Sequence, residues 1–419
     1  MKYKTTKLEE ALFKAENRIT DIAKTNASLI PDETTYGCEL YDLGQEIKEL
    51  TEGKNELIFD KLGRPNVMVN FKVNETARNS FLSNNGVDYA PSEGNLGVHP
   101  AFVQSGKFQG FRLGKYMAAR HNNHNFPTSL RGMSPAHNIT HDGCTGLINS
   151  ANAGAFSNGK ALHLETAPEV GYLSLLSRAK GFCCKGNSYF GTDQSSKNGT
   201  GIPCDDHIYV SGEESRVGKT LTGSGPASWN LDGTCLSPAD LRGNAYEWKA
   251  GIRYYEGFIQ VLDGNKAAIE GVDLSASSTE WKYVLANGTL STTNDGTALG
   301  WSYSDVIGAS KPFELAQGSE IVRQANEAEG YGGNNFSTLT AKAGIVVPGI
   351  LKELLVMPVG SNDPTGYSYM RNALLMERGL YFGGYCHDGA SNTGFGRCNG
   401  HNSRGYSNWN IGFRVGSLI

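Results

Sequence analysis

Charged side chains are scarce in this sequence: 19% of the 419 residues, against about 25% in ordinary globular chains. Lys+Arg 38 against Asp+Glu 42 leaves a formal charge of −4, with no basic stripe of the kind that tracks a phosphate backbone, so nucleic acid is excluded as a partner. Long apolar runs are missing too. The most apolar stretch, 343–360, is interrupted by Pro348, Lys352, Glu353 and Pro358 and cannot cross about 30 Å of hydrocarbon as a helix, so no membrane insertion is expected. The opening Met1-Lys2-Tyr3-Lys4-Thr5 leads into charged residues with no apolar h-region. No secretory signal is expected from it, and the chain is read as made in a cytoplasm and leaving, if at all, within an assembly. The eight cysteines include no C-x-x-C pair and lack the density of a disulfide scaffold; most should be reduced and buried. No G-x-x-x-x-G-K-[ST] occurs, which removes the phosphate-cradling loop.

Glycine, in contrast, is abundant: 53 residues, roughly double the usual share of about 7%. It has no Gly-X-Y period and is interleaved with 17 Phe, 19 Tyr and 5 Trp, which excludes a collagen-like chain and argues for a globular, loop-rich one.

Leu8, Leu12, Ala15, Ile19, Ile22, Asn26 and Leu29 recur with alternating spacings of four and three. This is the seam of a left-handed coiled coil, with Asn26 at a position that fixes register and oligomer number; the other reading is an amphipathic helix packed on its own domain. We expect an oligomerisation and attachment module over 1–78, with the coiled-coil-like helix at 6–30, a polar helix over 40–50 and a strand over 67–71. A linker rich in Asn, Ser, Gly and Pro is expected over 79–97, and a ligand-binding domain over 98–419. Thr140 is placed to cap one helix, and Thr166-Ala167-Pro168-Glu169 is a capping box for a second. A further helix is expected around 347–357, and strands at 257–262 and 411–415. Two or three helices, short strands and long glycine-rich loops define an α+β class.

Two segments carry the most specific pattern. Gly243-Asn244-Ala245-Tyr246-Glu247-Trp248 is followed by Gly251-Ile252-Arg253, and Gly383-Gly384 precedes Gly412-Phe413-Arg414. Here the chain resembles the formylglycine-generating-enzyme type of C-type lectin fold, and more closely the variable proteins of diversity-generating retroelements, especially those of phage tails. His99-Pro100-Ala101-Phe102, Asn138-Ile139-Thr140, His163-Leu164-Glu165-Thr166 and Gly257-Phe258-Ile259-Gln260 extend the likeness in order over about 96–419. Read from the residues themselves, Tyr246, Trp248 and Phe413 are apolar anchors, Asn244 can satisfy the backbone of a turn, and the glycine pair permits a tight one. With Gly243, Glu247, Gly412 and Arg414 they form the expected scaffold motif.

Between 385 and 408 there is no Lys, Glu, Gln, Met or Trp. A codon ending in a pyrimidine cannot encode those five, whereas adenine-directed mutagenesis of AAC codons reaches the other fifteen. The resemblance implies that randomised positions cluster here, within a variable region of about 383–414. The candidate ligand-binding positions are Tyr385, Cys386, His387, Asp388, Ser391, Asn392, Arg397, Asn399, His401, Asn402, Tyr406 and Asn408, an aromatic and amide chemistry like that of antibody loops.

Other chemistries fit less well. Formylglycine-generating enzymes bind copper through two nearby cysteines just after Gly-Gly; here Cys398 lies twelve residues beyond Cys386, and Phe382 stands where the family has Arg. His121, His124, His137, His141 and Cys144 have spacings compatible with zinc, but the first pair sits in an Asn-rich loop and His141 follows a helix cap. Trp409-Asn410-Ile411 lacks the second oxygen ligand of a calcium-dependent sugar site. We therefore expect no catalysis, cofactor or metal. The resemblance implies a virion protein of the phage tail tip or tail fibre, a homotrimer joined to other tail proteins by its N-terminal module and binding a host cell-surface receptor, protein or glycan. The alternatives are a formylglycine-generating-type copper oxidase and a bacterial surface-displayed adhesin.

Overall fold

Helix α1, Lys2–Lys24, turns one apolar face inward: Leu12, Ala15, Ile19 and Ile22 are buried. They pack, with Leu29, on Leu40 and Ile47 of α2 (Glu39–Leu50) and on Val67, Tyr116, Leu130 and Met133 of the same chain. The expected coiled-coil seam is therefore covered intramolecularly, and the helix ends at Lys24 rather than 30. Glu16, next to the seam, is fully buried and accepts from Lys115 Nζ and Tyr116 Oη, each at 2.6 Å. This polar anchor belongs to the domain, not to a partner helix.

These features come from a computed structural model that describes residues 2–36, 38–72, 98–197, 199–204, 208–211, 214–303, 313–323, 331–359, 366–371 and 377–419. The linker expected over 79–97 lies outside the described residues. After α2 come β1 (Asn55–Phe59), β2 (Pro65–Phe71), β3 (Phe111–Gly114), α3 (His141–Asn152), β4 (His163–Leu164) and α4 (Ala167–Ala179). Then follow β5 (Tyr246–Tyr255), β6 (Phe258–Val261), β7 (Leu299–Tyr303), β8 (Phe313–Gln317), β9 (Tyr331–Asn335), β10 (Thr340–Ala341) and a short α5 (Gly349–Glu353). The chain closes with β11 (Tyr367–Arg371), β12 (Glu377–Gly383), β13 (Gly394–Gly400), β14 (Ile411–Phe413) and β15 (Val415–Leu418).

The class is mixed α+β, mostly strands, with a curled sheet and an N-terminal helix. One sheet runs β1-β2-β3-β15-β4, so the strands of the first 72 residues and the last strand share a framework. The expected 1–78 module is not a separate unit. The larger sheet contains β9-β11-β13-β12-β5-β6-β7-β8-β10, with β14 parallel to β5. Local signals act as their chemistry dictates: Thr140 Oγ1 accepts from Gly143 N at 2.9 Å, and the Thr166/Glu169 capping box is complete. The helix expected over 347–357 is cut to five residues, because Leu355 turns into the left-handed region at φ 57°.

Candidate binding face

The scaffold motif meets in space. Parallel pairing of β5 with β14 sets Tyr246 beside Ile411, Glu247 beside Gly412 and Trp248 beside Phe413. Arg414 is fully buried and grips Glu247 with Nε at 3.2 Å and Nη2 at 2.8 Å, while its other N–H groups reach Gly114 O and Ala239 O. Lys249 Nζ bonds Glu247 at 2.9 Å and also Glu165. Burial would raise Glu247, but the charges of Arg414 and Lys249 hold it below the usual carboxylate range. Burial pushes Glu165 up to about 8, with Lys249 opposing and the Glu247 charge adding to the rise. Asp240, also buried, moves up to about 6. One proton on Glu165 thus leaves a buried cluster whose charges balance.

Asn244 turns at φ 63° and is fully buried. Its Oδ1 accepts from Thr220 N at 2.8 Å and its Nδ2 donates to Thr220 O at 3.0 Å, while its carbonyl accepts from Cys386 N. It pins the start of the 385–408 window. Gly383 and Gly384 lie at φ 97° and 89°, and a Cβ on Gly384 would come within 2.6 Å of Thr393. Both ends of the window are thereby fixed, one by this turn and the other by β14 and β15.

Between those ends the twelve candidates separate into two layers. Cys386, Arg397 and Asn399 are buried, and the Asp388 carboxylate is only 8% exposed. Strand β13 is buried throughout and pairs with β12 at Gly394, Cys398 and Asn399 and with β11 at Asn399 and Gly400. Arg397 Nη2 donates to Asp388 Oδ1 at 2.9 Å, its Nε to Tyr246 Oη at 2.7 Å and its Nη1 to Tyr367 O at 2.9 Å. Tyr246 Oη in turn donates to Asp388 Oδ2 at 2.6 Å. Burial raises Asp388, and it pushes the free thiols of Cys386 and Cys398 up to about 12. Expected as ligand contacts, these four residues instead lie beneath the face and stiffen it.

The outer layer holds Tyr385, His387, Ser391, Asn392, His401, Asn402, Tyr406 and Asn408, all partly or fully exposed. Ring contacts connect it: Phe190–His387 at 4.6 Å, His387–Tyr385 at 6.3 Å and Tyr385–Trp409 at 5.7 Å. From Tyr385 the chain of rings continues through Tyr246 and Tyr381 to His401, Tyr369 and Tyr367. Asn402 Nδ2 donates to Tyr381 Oη at 2.7 Å, and Asn408 Nδ2 to Tyr406 Oη at 3.0 Å. Sequence reasoning missed Phe190, Tyr189, Tyr367 and Tyr369 as members of this face. The available signals were an aromatic pair inside a polar glycine-rich loop and a Tyr-x-Tyr alternation. Phe190 is brought in by its amide, which donates to Cys386 O at 2.8 Å.

Arg404 leaves the face: it bonds Asp142 at 2.7 Å, Glu377 at 3.3 Å and Leu274 O at 2.8 Å, bordering a cleft of about 390 Å³ beside α3. The histidines are dispersed. His121 and His124 pair across a hairpin tip, His137 lies 2.7 Å from Lys219 Nζ, and His141 is buried against Trp248. Among the described residues no three His, Cys, Asp or Glu side chains are grouped to hold a metal, and no helix is long and apolar enough to cross a membrane. No protein-family model matches the chain, and no curated protein matches it.

Proposed function

We propose that the chain is a receptor-binding protein of a phage tail tip or fibre, with a C-type lectin fold of the formylglycine-generating-enzyme-like subtype and a binding face diversified by a retroelement. It is non-catalytic in this reading, takes no cofactor, and is carried on the virion with other tail proteins. The observation that carries the proposal is the layering of the 385–408 window: solvent-facing Tyr, His, Asn and Ser side chains lie over a buried Asp388–Arg397–Tyr246 network. Such a surface tolerates changes of side chain while its backbone is held. Because the α1 seam is covered within the chain, a homotrimer would have to be joined through other surfaces; several copies would still add weak contacts by avidity. The buried, protonated thiols of Cys386 and Cys398 weigh against copper oxidation, since the thiolate is the ligand form.

Sequencing the gene across a population tests the proposal. Changes confined to codons 385–409, and to adenines of Asn-type codons, are expected. Changes spread evenly along the gene would remove the diversification reading.

A further inference from the structure

Resting on the reading of this surface as a binding face, we propose that its ligand is a neutral saccharide chain, held by ring stacking and amide hydrogen bonds without calcium. Charge makes the first selection. The window has three charged side chains, and all are engaged internally: Asp388 with Arg397 and Tyr246, and Arg404 with Asp142 and Glu377. The window itself offers an anionic polymer no outward cation, and a cationic ligand no outward carboxylate. Aliphatic content makes the second. Between 385 and 410 Ala390 is the only aliphatic side chain, so the window offers no aliphatic patch to a lipid or acyl chain, and its apolar contact comes from rings.

What remains outward suits a sugar. A pyranose has a C–H face and a hydroxyl rim. Tyr385, His387 and Trp409 present rings to the first, while Asn402, Asn408 and Tyr406 present groups that both donate and accept to the second. Phe190, His387, Tyr385 and Trp409 stand 4.6 to 6.3 Å from one ring to the next, close enough for one oligosaccharide to touch more than one of them. No calcium is needed, because orientation comes from the amides.

The test is adsorption of the labelled full chain to cells of the bacterium in which the gene occurs, after periodate, after protease, with EDTA, and at about 1 M salt, where charges are screened beyond about 3 Å. Expected is adsorption that periodate abolishes and the other three treatments leave in place. Tyr385→Ala should weaken it about tenfold or more while Tyr385→Phe keeps it, with both variants still giving the parent's far-UV spectrum and cooperative melt at the temperature of the assay. Protease-sensitive, periodate-resistant adsorption that still falls with Tyr385→Ala would make the ligand a protein and leave the binding face standing. Loss at high salt would make it a charged polymer, and loss in EDTA would overturn the calcium-free mode. Adsorption indifferent to Tyr385→Ala, or none to untreated cells, would remove the binding face itself.

Discussion

Arg414 sets two N–H groups on the carboxylate of Glu247, at 3.2 and 2.8 Å, across 167 residues of sequence. Both side chains are buried, so removing one strips the other of its two-point partner, with only Lys249 still on Glu247 or Glu165 near Arg414. Glu247→Ala or Arg414→Met should each cost about 3–5 kcal/mol in urea denaturation. The double replacement Glu247→Met/Arg414→Met should cost less than the sum of the two single changes. Strict additivity would show that the pair is not coupled.

The same cluster sets a pH dependence. Glu165 is raised from 4.5 to about 8, so the folded chain holds a proton that the unfolded chain releases. Its contribution is fully present below about pH 4.5 and is lost as pH rises through about 8. Asp240 acts in the same direction, between 3.8 and about 6. Glu247, held low, has the opposite sign and loses its contribution in acid. Stability should therefore peak on the acid side of neutrality, and Glu165→Gln should flatten the decline toward pH 8. An unchanged decline in that variant would assign the effect elsewhere.

Backbone contacts predict which glycines are fixed. A Cβ on Gly412 would lie 2.0 Å from Ala136 O, whereas the nearest atom to one on Gly405 is Ser403 Oγ at 3.9 Å. Gly412→Ala should cost about 1–3 kcal/mol or more, and Gly405→Ala, on an exposed loop, should stay within about 0.5 kcal/mol. Thermal melts of the two variants decide it.

Tolerance to substitution should follow the two layers of the window. Changes at Ser391, Tyr406 and Asn408 should leave stability within about 0.5 kcal/mol. Arg397→Ser strands the buried Asp388 carboxylate and should cost about 3–5 kcal/mol, and Cys386→Tyr overpacks a fully buried site. A saturation library sorted by protease resistance would show a flat profile if the layering were wrong.

The α1 seam makes a separate prediction. Leu12→Ala and Ile19→Ala should each cost about 2–5 kcal/mol, with a midpoint that does not depend on chain concentration. A midpoint rising with concentration would place the seam between chains instead.

Local chemistry was the most legible part of the sequence. The Thr166/Glu169 box spans four residues, and the strand over 67–71 announced itself by alternation, because neither needs distant partners. The heptad spacing correctly marked the apolar face of α1 but could not say which chain covers it; a period describes one surface, and Lys115 and Tyr116, which meet Glu16, lie about a hundred residues away. Composition likewise located the 385–408 window without sorting it. Arg397 and Asn402 look equally polar in sequence, yet β13 is covered by strands on both sides and Asn402 lies beyond its end. Phe190 reaches the face through a loop whose path is set by single hydrogen bonds, which leave no periodic trace.

Strand β15 lies between β3 and β4, so residues translated after the window supply an interior rib of the sheet. A stop codon or frameshift within 385–408 deletes that rib along with the Arg414 anchor. Errors of length are thereby separated from changes of letter: a truncated product cannot complete its framework, while one substituted at the outer positions of the window keeps it. Whatever alters this segment, the molecules that reach their place of work have been read through to Val415–Leu418 in frame.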